Sequence, residues 1–182
     1  MARVRYMERE DLAAKHQHVW DEIAGSRGGV NLNFRALLNG PEVTSRMAAL
    51  GAYVRFETPL PARVKALAVL TTARESEGDY VWTVNEPQAR SAGLEQEVIN
   101  AIRERRAPQA LKAEDATIVR FTLELLKQHR VSDATFRAVQ GRLGDAGVVD
   151  LLVLIGYYFT LSHALSALEV ELQPGVTSTL SR

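Results

Sequence analysis

The sequence contains no cysteine among its 182 residues. That single absence removes disulfides, thiolate nucleophiles, peroxide-reducing thiols and cysteine metal ligands together. An excess of charge of either sign is also missing, with 22 basic and 22 acidic side chains. Nucleic-acid binding usually calls for a basic excess or patch, so nucleic acid is not an expected partner. Near-zero net charge does little for solubility and fits a specific homo-oligomer. The chain has no GxGxxG, no Walker loop, no GxSxG elbow and no HExxH. These gaps argue against common nucleotide enzymes, elbow-type serine hydrolases and that zinc site. No cofactor and no metal is expected. The first sixteen residues lack an apolar core and a small-residue cleavage site, and a cytoplasmic setting is the expectation.

What is present is a helical pattern. Nearly half the residues are apolar and 24% are charged, which suits one soluble domain with a substantial core. Helix formers dominate, and no apolar–polar alternation is sustained. The expectation is a single all-α, oligomeric helical domain over 1–182. The first helix is expected over 8–24, a short one over 31–38, and another from Pro41 to about residue 56. Asp79 reads as a possible cap for a helix that Gly93 ends. The span 114–130 is strongly amphipathic. Ser132 and Asp133 open a further helix with Phe136, Val139 and Leu143 inward; Gly144 breaks it, and Asp145 reads as a cap for the last helix.

That last helix has no charged residue over 151–168, which is long enough for a membrane span. Acidic residues flank it, no Lys or Arg would orient an insertion, and Thr160, Ser162, His163 and Ser166 lie within it. Burial at the centre of a bundle or at a subunit interface fits better than a membrane partner.

Two stretches carry a family likeness. Over 65–89, Tyr80, Trp82 and Glu86-Pro87 stand in the order of a Tyr-Glu-Trp-x-x-His-Glu-Pro motif, and Gly156-Tyr157-Tyr158 follows at the right separation. Asn33, Phe34, Arg35 and Pro41 fit its longer members. The chain thereby resembles the carboxymuconolactone decarboxylase and alkylhydroperoxidase D family. The resemblance implies an alkylhydroperoxidase D-like antiparallel helical bundle with an N-terminal helical extension over 1–57 and a core over 58–172, assembly into homotrimers or homohexamers, and a small-molecule substrate or ligand. It also implies chemistry of the lyase or thiol-peroxidase type. The chain departs from the family where that chemistry would sit. The family's first-helix Glu falls on Ala66, the Glu of Tyr-Glu-Trp on Val81, and the His on Asn85. Thiol peroxidation has no thiolate to use.

The remaining candidates follow from residue chemistry. Trp82 could wall an apolar site, Asn85 orient a substrate oxygen and Glu86 move a proton; the plainer alternative makes Trp82 core and leaves the Glu86 carboxylate exposed. His163 is a substitute base for the missing family His, or else a buried structural histidine. Tyr80 and Tyr157 are candidate substrate contacts, with one of Tyr157 and Tyr158 inward and the other toward a subunit neighbour. Glu75, Glu77 and Asp79 read as a solvated turn, and the basic residues of 103–106 as a wet helix end. His16 and His18 make a poor metal pair because a spacing of two puts them on different helix faces. Two functions follow. One is a cofactor-independent lyase on a small carboxylated or lactone compound of aromatic catabolism, using His163, Glu86 and Asn85 beside Tyr80, Trp82 and Tyr157. The other is a catalytically silent oligomeric binding or scaffold protein.

Overall fold

The computed structural model describes residues 2–180, and among these it contains eight α-helices and no strand. The helices are α1 (Gln17–Arg27), α2 (Leu32–Leu37), α3 (Pro41–Ala52), α4 (Ala62–Glu75), α5 (Asp79–Ser91), α6 (Gln96–Arg103), α7 (Ala113–Gln128) and α8 (Asp133–Ala167). The all-α expectation holds, and several boundaries differ from it. The first helix starts late because two short 3-10 turns, Arg9–Asp11 and Ala14–His16, precede it. There the exposed Arg9 donates to Asp21 and Gln17. The cap of α5 is Gly78, not Asp79. Asp145 accepts from Gln140 instead of capping a new helix. Gly144, with φ near +70°, marks a kink inside α8, a conformation glycine adopts without a Cβ penalty.

The central element is α4. Val64, Leu67, Ala68, Leu70 and Ala73 are fully buried, and the helix touches α5, α6, α7 and α8. A second, smaller apolar cluster of Leu12, Val19, Ile23, Phe34, Leu38 and Ala48 ties α1–α3 together. Between the two lies a wide π-helical turn, Tyr53–Glu57, closed by the Thr58 amide donating to the Tyr53 carbonyl. Asp150 of α8 pins both ends of that turn, accepting from the Tyr53 hydroxyl at 2.9 Å and the Thr58 hydroxyl at 2.8 Å.

The uncharged part of α8, from residue 151 onward, is only partly covered. By length and composition it is the one helix among the described residues apolar enough to cross a membrane, and half of its most apolar stretch is buried inside the fold. Leu151, Leu154, Ile155, Leu161 and Leu165 face inward, while Val149, Val153 and Phe159 are exposed. Phe136, expected inward, is also exposed, at 37%. Tyr157 and Tyr158 are both buried and meet edge to face, their centroids 5.2 Å apart, so neither points outward. Tyr157 lies against Gly51 so closely that any side chain at residue 51 would strike its phenol.

The acidic turn and the basic helix end are not separate wet segments. Glu75 is largely buried and pairs with Lys127 at 2.9 Å and Arg105 at 3.5 Å, while Glu77 pairs with Arg105 at 2.6 Å. Arg103 turns inward to Glu86. Arg105 thus ties the basic run to the acidic one, while Arg106 pairs within its own run with Glu104 at 2.7 Å.

Candidate functional site

Helix α5 presents two different faces. Asp79, Trp82, Glu86 and Arg90 recur at helical spacing on one of them. The C-terminal segment crosses this face: the Ser178 hydroxyl donates to Asp79, the Thr179 hydroxyl donates to Glu86, and Leu180 is buried in the main core. Trp82 is fully buried, and its indole N–H is shared between Glu86 Oε2 at 3.0 Å and Thr179 Oγ1 at 3.1 Å. Glu86 Oε1 accepts from Arg90 at 2.5 Å and Arg103 at 2.6 Å.

Glu86 is therefore 1% exposed, which corrects the exposed carboxylate expected of it. Its donors explain how a charge survives there. Burial pushes the Glu86 carboxyl up, but the hydrogen bonds from Thr179, Arg103 and Trp82 and the Arg103 charge together hold it below the usual carboxylate range. A carboxylate so held is an ion-pair hub, with no lone pair left facing a cavity.

The opposite stripe of α5, at Val81, Asn85, Gln88 and Ala92, faces open space. Asn85, Gln88 and Ala92 line a half-open cavity of about 210 Å³ between α4, α5, α8 and the π-helical turn. Its walls are mostly apolar: Val54, Ala62, Ala66, Val69, Ala89 and Leu154, with Phe56 at the rim. Its polar groups are Arg55, Lys65, Asn85, Gln88 and the Tyr158 phenol. Burial pushes Tyr158 up to about 12, so it stays a neutral donor. Asn85 Nδ2 donates to the Val81 carbonyl one turn earlier, at 2.7 Å. A second, much smaller space of about 30 Å³ adjoins it. Tyr80, Val81 and Tyr157 line this space, and Arg55, Asn85 and Tyr158 border both. Tyr80 also donates to Asn33 Oδ1 at 3.3 Å.

The six residues singled out from the sequence thus separate. Asn85 lines the main cavity, Tyr80 and Tyr157 line the small annex, and Trp82 and Glu86 lie on the other face of α5. His163 is in neither place and is not buried. It is exposed on α8, its Nδ1 2.9 Å from the Phe159 carbonyl and its ring 4.2 Å from the Phe159 ring. The family positions represented by Ala66 and Asn85 do meet at the cavity, while Val81 borders the annex. Arg55, Lys65 and Tyr158 were not singled out as site residues. The first two stand ten apart across the Pro59–Pro61 break, which hides their convergence from helical spacing. No group of three His, Asp or Glu residues able to hold a metal occurs among the described residues.

No protein-family model matches the chain, and no curated protein is similar to it. Solved structures are. The AhpD-core structure of an uncharacterized peroxidase-related protein from Ralstonia eutropha superposes with a TM-score of 0.77 at 15% identity, over 95% of this chain and 93% of that one. The debrominase Bmp8, in a cysteine-to-alanine form bound to 2,3,4-tribromopyrrole, gives 0.74 at 11% identity over 96% and 93%. A protein of unknown function from Agrobacterium tumefaciens, provisionally assigned to antioxidant defence as AhpD, gives 0.66 at 18% identity over 74% and 93%. At these identities the likeness shows the fold, which is alkylhydroperoxidase D-like.

Proposed function

We propose that this alkylhydroperoxidase D-like chain binds a small ring compound in the α4–α5–α8 cavity without the acid–base pair of the family it resembles. The observation that carries this is the lining itself. A cavity of about 210 Å³ opens beside Ala66 and Asn85, yet none of its lining residues is a carboxylate, an imidazole or a thiol. An apolar cavity of about 150 Å³ is enough to hold benzene, so a substituted single ring fits. One similar structure, that of the debrominase Bmp8, is in complex with 2,3,4-tribromopyrrole, which supports a ring-sized occupant here. The test is ligand-observed NMR with benzoate and benzamide on the full chain and on Ala66→Phe, which fills the cavity. Binding to the parent and its loss in the variant is expected. Equal binding to both proteins would place the ligand elsewhere.

A second reading, the cofactor-independent lyase, rests on a different observation: Arg55 and Lys65 stand beside the Asn85 amide at an apolar wall. Loss of CO₂ from a carboxylated lactone leaves the bond's electron pair on the ring as an enolate, which fixed cations and donors stabilise. The proton carriers within reach would then be Lys65 and Tyr158, not His163 or Glu86. Release of CO₂ from such a lactone by the purified parent, lost in Asn85→Ala, would favour it over silent binding.

Self-association belongs to the same proposal. The exposed Val149, Val153 and Phe159 form an uncharged face on α8, and a second copy of the same face is an occupant of matching chemistry. A homotrimer or homohexamer is the expected product. A cytoplasmic setting accords with α8 serving as a half-buried bundle helix rather than a span.

A further inference from the structure

Building on that ligand cavity, we infer that its occupant is an organic anion, a single-ring carboxylate, and that Arg55 and Lys65 select it. Several arginines elsewhere in the bundle have carboxylate partners: Arg63 pairs with Asp115 and Glu95, Arg90 and Arg103 with Glu86, and Arg105 with Glu75 and Glu77. Among the described residues Arg55 and Lys65 have none. Arg55 lies 5.1 Å from the centre of the Phe56 ring, and its one hydrogen bond, to Gln88 Oε1, is long at 3.3 Å. Lys65 spends one N–H on the Arg55 carbonyl at 2.9 Å; an ammonium has further N–H bonds to give. Two cations on a mostly apolar wall, with no acid in the lining, create a local positive potential that a bound anion would offset.

The placement is built rather than incidental. Arg55 sits in the middle of the π-helical turn, an uncommon feature that often marks functional sites. Asp150 holds the turn from both sides, and Lys65 holds its central carbonyl. The apolar wall accepts a ring, and the guanidinium fork matches the two oxygens of a carboxylate. A phosphate would bring more charge and more acceptor oxygens than this sparse set of donors serves. Tyr158, its phenol held protonated at neutral pH by burial, lines the same cavity.

Benzoate and benzamide share a shape and differ in charge, so they test the assignment on the full chain by calorimetric or NMR titration. Benzoate is expected to bind about tenfold or more tightly than benzamide, as charge-assisted hydrogen bonds imply. Arg55→Gln should erase most of that preference by weakening benzoate far more than benzamide. Lys65→Met should reduce it in the same direction, and serves alone if thermal melting shows that Arg55→Gln does not fold. Raised salt should narrow the gap. Equal binding of the two ligands to the parent would overturn the anion assignment while leaving the ligand cavity standing. A preference that survives both substitutions would overturn the roles of Arg55 and Lys65. Failure of either ligand to bind the parent would overturn the cavity reading itself, and this inference with it.

Discussion

Replacing Glu86 by Gln should destabilise the protein strongly, although residue 86 does not line the ligand cavity. The Glu86 carboxylate accepts from Arg103 at 2.6 Å, Arg90 at 2.5 Å, the Trp82 indole at 3.0 Å and the Thr179 hydroxyl. Gln keeps one acceptor oxygen and turns an NH₂ toward groups that are all donating. Arg90 is half exposed and recovers hydration, so its loss counts for little. Arg103 is mostly buried, and stranding a buried charge costs several kcal/mol. A net loss of about 2–4 kcal/mol follows, or a fall in Tm of roughly 5–12 °C for a chain of this size. The sign of the pH dependence is fixed by the same contacts. The folded carboxyl lies below its unfolded value, so its stabilisation is complete above the ordinary carboxylate range and is lost as pH falls through the folded value. Urea melts of parent and variant, followed by circular dichroism from neutral to strongly acidic pH, should show a gap that closes on acidification. A gap under about 0.5 kcal/mol at neutral pH, or one that ignores pH, would refute the hub.

Other perturbations test the packing and the assembly. Gly51→Ala drives a methyl into the Tyr157 phenol and should cost about 1–3 kcal/mol by overpacking; a melt within error of the parent would show that α3 and α8 can separate freely. Val153→Asp places a charge on the exposed apolar face of α8 and should convert a trimer or hexamer to monomer in light scattering, with little change in monomer helicity. A parent that is already monomeric would remove the basis for that face as an interface.

Much of the fold was legible because helical spacing and breakers are local signals. Pro41 opens α3 at its first residue, Ser132 caps α8 through the Thr135 amide, and Ile118 and Phe121 share the buried face of α7. What spacing cannot report is which apolar face meets which partner. The stretch 151–168 looks like the centre of the bundle because it is uncharged, yet α4, with Arg63, Lys65 and Arg74 along it, is the enclosed helix. Its charged ends reach Asp115, the Arg55 carbonyl and the Arg103 carbonyl, so their charge did not keep it outside. Phe136 was placed inward by periodicity, but it is 37% exposed, while Val139 on the same limb of α8 is fully buried. The C-terminal strap left almost no trace: a Pro174-Gly175 turn followed by Thr179 and Leu180 in a polar tail.

The motif residues mislead about the site for a related reason. Tyr80, Trp82, Asn85 and Glu86 lie within seven positions and look like one cluster, but a helix advances about 100° per residue. Residues 82 and 86 share a stripe; 81, 85, 88 and 92 share another. The first stripe took up a structural load, because the C-terminal segment and Arg103 of α6 close on it and, with Trp82 and Arg90 of α5 itself, take up both oxygens of Glu86. The second kept its open space, and there the titratable family positions are filled by Val81 and Asn85, with Ala66 facing them from α4. Stability and ligand contact are thereby divided between opposite faces of one helix. The division makes a separable prediction: Glu86→Gln should lower the melting temperature with benzoate affinity unchanged in the folded protein, and Arg55→Gln should do the reverse. A single substitution that moved both quantities in parallel would mean that the two faces of α5 are coupled and that the strap belongs to the binding site.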